Sequence, residues 1–283
     1  MRSGGRRFSW LGLATGAVWL VLGLGGEVRA DDGVPPVPAP AGMSDAKPTP
    51  AAPAAAPTTR ERTIAVVAAL GGAARDNAGA GAKALTGDAL ANLYVRTAAA
   101  AAPDDAKAVL VGLAYVFDAT GTLARVPGTK SSVRDLETDE AAKARRAVLG
   151  TPSLRGRNDW WLHFFVSSAL TAVLGDRIAG AAGLAKELAD MAGSEGFSFA
   201  DLLADQAGIV FAQWLLGADG AKHLASVATR FDGDRFLPEA GDLEDGLPEA
   251  PWKERYGGLR DERFLKREAQ VREKVAESAK HWE

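Results

Sequence analysis

Between residues 159 and 208, one histidine and several carboxylates recur at helical spacing inside runs that are otherwise apolar. Asp159, His163, Ser167 and Thr171 follow one another at intervals of four, which lines them up along a narrow face of a helix. Lys186, Glu187 and Asp190 come next, with the two acids three apart, and Asp201 and Asp205 follow, four apart. If three helices bring these groups together, two kinds of chemistry become available. One histidine with two or three carboxylates is a hard N/O ligand set suited to Zn, Mn or Mg, and His163, Glu187, Asp190 and Asp205 are the candidate ligands. Closely spaced carboxylates also drive one another's pKa apart, so that one acts as acid while another acts as base. A divalent metal is therefore the one cofactor the constellation suits, and metal-assisted hydrolysis is the reaction it would serve.

The same residues have plainer structural uses. His163 lies within Trp160-Trp161-Leu162-His163-Phe164-Phe165-Val166, where an unpaired imidazole is costly to bury; Asp205 or Glu187 would satisfy it. Ser198-Phe199-Ala200-Asp201 has the form of a helix-capping box, and Asp159 suits the positive end of a helix, with Asn158 as cap. Arg155 and Arg157 precede Asp159 closely enough for a guanidinium to pair with one of the acids. No His-Glu-x-x-His, Gly-x-Ser-x-Gly or phosphate-binding glycine loop occurs, so neither a recognisable nucleophile nor a nucleotide site is encoded.

The elements that must position these residues are helical. Alanine and leucine dominate, β-branched alternation is scarce, and the 3.6-residue period predicts helices at about 61–70, 83–101, 104–117, 138–149, 159–174, 176–192, 199–216 and 219–230. The fold class is all-α, an irregular helical bundle, with residues 120–137 as a long loop rich in Gly, Pro, Ser and Thr. Cysteine is absent, which removes disulfides, thiol catalysis and thiolate metal sites and leaves stability to packing. The net charge of -3 and the lack of a basic stripe with interleaved aromatics exclude nucleic acid as a partner.

The ends differ in composition. Arg2, Arg6 and Arg7 precede an apolar run from Phe8 to Gly26, and Val28-Arg29-Ala30 offers a cleavage site before Asp31. Residues 1–30 therefore read as a signal peptide, alternatively as an uncleaved N-terminal anchor. Residues 31–59 are rich in Pro and Ala and read as a disordered, semi-rigid linker. The helical domain is expected at 60–237, followed by a charged, helical tail at 238–283 that a partner could bind.

Order and spacing over residues 159–208 resemble the VanZ-like proteins and the related small periplasmic lipoproteins typified by YfiM. The resemblance lies in Asp159-x-x-x-His163-Phe164, then Glu187 with Asp190 three on, then Ser198-Phe199 before Asp201-x-x-x-Asp205-x-x-Gly208. It implies an exported helical domain close to the cell envelope, in a group without a defined substrate. The chain departs from those relatives in lacking an N-terminal lipid-bearing cysteine and in having apolar stretches shorter than a membrane span. The expectation is a periplasmic or envelope-associated protein with a structural or interaction role, its partners the membrane surface or envelope proteins.

Overall fold

The computed structural model describes residues 56–119, 121–193 and 195–282; the expected signal peptide and all but the last residues of the linker lie outside them. The all-α class is observed: thirteen α-helices and one 3-10 turn, with isolated bridges but no strand among the described residues.

Helix α1 (Thr59–Gly79) starts from a complete capping box. Thr58 accepts from the Glu61 amide at 3.3 Å, and Glu61 accepts from the Thr58 amide at 2.7 Å. It outruns the expected 61–70 because its buried face, Val66, Val67, Leu70 and Ala74, continues through Gly71 and Gly72. Packing along that face outweighs the glycines' low helix propensity. The next helix starts later than expected. Asn77 clamps Leu85 through both amide bonds, at 3.0 and 2.7 Å, which holds the chain in a turn before α2 (Gly87–Ala101). Helix α3 (Ala106–Phe117), capped by Asp105, is buried almost all round and packs on α1, as its uniform apolarity demands. The expected loop at 120–137 holds two short helices, α4 (Thr122–Arg125) and α5 (Lys130–Val133), and packs Leu123, Val126, Val133 and Leu136 inward. Helix α6 (Asp139–Arg146) then leads towards the centre, started by the Thr138 hydroxyl.

Three helices build the centre: α7 (Asn158–Leu174), α8 (Asp176–Ala192) and α9 (Phe199–Leu216). Helix α7 packs on α3, α8 and most extensively on α9. Its crossing with α9 is set by Gly208, where a Cβ would overlap the Phe164 carbonyl, so the two backbones touch. Ser168 staples the crossing by donating to the carbonyls of Phe164 and Gly208, at 2.7 and 2.8 Å.

Helix α10 (Gly220–Arg230) packs on α2, and the short α11 (Gly233–Phe236) follows it. The approach to the C-terminus contains a helix the Pro/Gly punctuation concealed, α12 (Glu249–Tyr256); Pro251 falls in its first turn, where a missing amide donor is harmless. Helix α13 (Glu262–Ala279) is the expected charged helix, but it is not solvated all round. Phe264, Val271 and Val275 form a buried stripe, and the helix lies on α9. No helix of the described residues is long and apolar enough to cross a membrane.

Candidate functional site

The polar residues of α7, α8 and α9 converge. His163 is 1% exposed, one turn into α7, and its Nδ1 lies 3.1 Å from Asp205 Oδ1. Ser167, the next residue along that face, donates to the same oxygen at 2.6 Å. The α7 face therefore forms as its four-residue spacing requires, and of the two partners open to His163 the fold selects Asp205. Thr171 leaves the constellation by donating to the Ser167 carbonyl.

Helix α8 contributes Glu187, also 1% exposed. It accepts from the Ser198 amide at 3.0 Å, which ties α8 to the start of α9, and from Lys186 Nζ at 3.1 Å. Lys186 lies 2.5 Å from Asp190 as well, so Asp190 is occupied by a lysine and does not join the centre. Gly183 allows α8 to close on the cluster, since a Cβ there would sit 2.6 Å from Asp205 Oδ2.

Ser198 caps α9 by accepting from the Asp201 amide at 2.9 Å, half of the expected box; the Asp201 carboxylate is free for other work. Its Oδ1 accepts from Trp160 Nε1 at 3.1 Å and from Arg157 at 3.2 Å. Its Oδ2 lies 3.5 Å from His163 Nε2. Arg157 also binds Asp159 in a close bidentate pair, and Asp245 at 2.5 Å. Asp159 is thus held at the rim by Arg157 and does not reach the histidine's ligand atoms. Arg155 points elsewhere, to carbonyls of residues 234 and 237. Asp245 was invisible to periodicity, since it sits in a Gly/Pro-punctuated stretch; nothing local marks it as a partner of residues 88 positions earlier.

Electrostatics follow from burial and charge count. Burial alone would strip the proton from His163, but Asp205 and then Asp201 outweigh it and lift the imidazole to about 9. Burial is also the main reason that Glu187 and Asp201 are raised, with Lys186 and His163 opposing for both. Asp159 is lowered because the hydrogen bonds and charge of Arg157 overcome its burial. Two buried atoms of the cluster's ionisable groups stay without a hydrogen bond: His163 Nε2 and Asp205 Oδ2. The Nε2 to Asp201 separation is short enough for charge attraction but does not make a hydrogen bond.

Among the described residues, the set within reach of one ion is therefore His163, Glu187 and Asp201, each offering one ligand atom, all within 4.8 Å of one another. Of the four ligands expected, His163 and Glu187 belong to this set. Asp205 stands behind the imidazole on Nδ1, and Asp190 faces Lys186. Asp201, read in the sequence as a member of the polar cluster with helix capping as its plainer use, takes the remaining place. Comparison with protein-family models, curated proteins and solved structures returns no match.

Proposed function

We propose that this chain is an exported, envelope-associated protein of the VanZ/YfiM-like kind, whose helical domain acts through structure and interaction, without turnover. The observation that supports this most is the internal placement of the His163 polar constellation. His163 and Glu187 are 1% exposed, and the acids around them are held by lysine, arginine, indole and amide donors from α7, α8 and the start of α9. A hydrolase acting on an envelope polymer must bring the scissile bond to within about 3 Å of its catalytic groups. Here those groups lie beneath packed helices. The cluster acts as a lock that gives three helices one register, the use of buried polar groups for specificity.

Export is tested by recovering the chain from the envelope fraction and sequencing its N-terminus. A start at Asp31 supports the reading; intact Met1 in the cytoplasm overturns it. The interaction role is tested by cross-linking in envelope extracts, with and without residues 238–283, and the absence of any cross-linked wall component or envelope protein counts against it.

Metal-assisted hydrolysis is the second reading, favoured by the convergence of His163, Glu187 and Asp201. It requires turnover of an envelope substrate that disappears with Asp201→Asn.

A further inference from the structure

We propose that His163, Glu187 and Asp201 form a binding site for one divalent cation of the zinc or manganese class. The proposal depends on neither export nor turnover.

The first argument is the imidazole. Nε2 is buried, lacks a hydrogen bond, and faces Asp201 Oδ2 at 3.5 Å. With metal–ligand bonds of about 2.1 Å, two ligands of a tetrahedral ion stand roughly 3.4 Å apart. The spacing that fails as a hydrogen bond therefore suits two ligands of one ion. A carboxylate oxygen of Glu187 completes the group within 4.8 Å, and closing that gap takes side-chain movement of roughly 1.5 Å.

The second argument is the support behind each ligand. On His163, Nδ1 is held by Asp205, itself fixed by Ser167, so that the Nδ1–H donates to a carboxylate and Nε2 faces forward, its lone pair available to a cation that displaces the Nε2 proton. This carboxylate–histidine arrangement is what orients imidazoles on metal ions. On Asp201, Oδ1 is tied by Trp160 and Arg157, which leaves Oδ2 for the ion. On Glu187, one oxygen is tied by the Ser198 amide. His163 and Asp201 each have one polar atom anchored by the protein and another turned to the shared point, while the second Glu187 oxygen, held by Lys186 at 3.1 Å, is the one a cation would take over.

The third argument is charge. Carboxylates outnumber permanent cations in the cluster, since Arg157 is shared by Asp159, Asp201 and Asp245, and Lys186 by Glu187 and Asp190. An excess of buried anion favours a cation between them. Lys186 does not block entry, because Asp190 holds it at 2.5 Å when Glu187 turns to the ion. The donors define the metal class. One imidazole with two carboxylates, and no sulfur ligand, suits zinc or manganese over copper(I) and over the all-oxygen preference of calcium.

The experiment titrates Zn(II) and Mn(II) into the chelator-stripped full chain, with calorimetric stoichiometry and the visible spectrum of Co(II) as readouts. One equivalent per chain is expected. Glu187→Gln and Asp201→Asn, which keep shape and remove charge, should each weaken binding about tenfold or more. Asp190→Asn should leave it unchanged. A folded chain with no saturable uptake overturns the site, and so does uptake indifferent to Glu187→Gln and Asp201→Asn, which would place the ion elsewhere. If either variant fails to fold, electron spin-echo spectroscopy of Mn(II) on the unaltered chain decides: imidazole nitrogen coupling is expected, and its absence overturns the proposal.

Discussion

Helix α9 carries two different kinds of core along its length. Its first turns hold Asp201 and Asp205 against His163, Glu187 and Lys186; its last turns hold Phe211 and Trp214 against Phe231, Phe236 and Trp282. The aromatic end gains stability from area and from edge-to-face contacts, which many arrangements provide, and it tolerates an imperfection: the Trp282 indole N–H is buried without a partner. The ionic end also has aromatic neighbours, since Phe199 packs on Phe197, Tyr256 and Phe264, but its inner face depends on charge, protonation and alignment. One end supplies adhesion and the other supplies register. Gly208, between them, is where α9 touches the α7 backbone and fixes both.

The contrast can be broken at the aromatic end first. Phe211 touches Phe164, Phe165, Trp214, Phe231, Phe236 and Trp282. Phe211→Ala should cost about 3–5 kcal/mol in urea unfolding, equally at pH 6.5 and 9.5. A loss that varied with pH would mean that the two ends are not separable. Gly208→Ala comes next. Its methyl meets backbone that cannot swing aside, so we expect a loss of about 3 kcal/mol with both ends affected, measured in the same unfolding series.

The ionic end is sharpened by pH. In the folded, chelated chain His163 holds its proton to about 9, against about 6.5 unfolded. Its contribution is complete below 6.5 and is lost as pH rises through 9; the raised Glu187 shifts stability in the same direction, since the fold favours its protonated form. Stability should therefore fall between pH 6.5 and 9.5, on the order of 3 kcal/mol for the histidine. Asp205→Asn should flatten that slope, because it removes the carboxylate that does most to retain the proton. A slope unchanged in the variant would place the titrating group elsewhere. The smallest effect belongs to the surface: breaking the exposed Lys253–Glu249 pair by Glu249→Gln should change stability by no more than about 0.5 kcal/mol.

Sequence periodicity carried the helices that pack through continuous stripes, and the spacing of Asp159, His163 and Ser167 carried the face they share. What it did not carry is partner choice across helices. Asp190 and Asp201 are equally plausible on spacing alone, and only the Lys186 ammonium, which occupies Asp190, distinguishes them. Helix ends were legible where a cap is local, as at Thr138 or Ser198, and illegible where a side chain of the preceding helix delays the start, as Asn77 does through Leu85. The α12 helix was hidden by Pro251, a residue that breaks a helix interior but opens a first turn. The buried stripe of α13 was hidden by its charge, because Phe264, Val271 and Val275 are few among many ionic neighbours.

Trp282 has a consequence for the order of folding. It inserts between Phe211, Trp214 and Phe236, and Arg235 grips the carbonyl just before it, so the aromatic end of α9 is completed only by a residue past the end of α13. Contacts that span such a length of chain form slowly, after the local helices are in place. Until residues 231–282 are joined on, Phe211 keeps Phe164 and Phe165 as ring partners from upstream but lacks Phe231, Phe236 and Trp282, so one side of its ring stays open to other apolar surfaces.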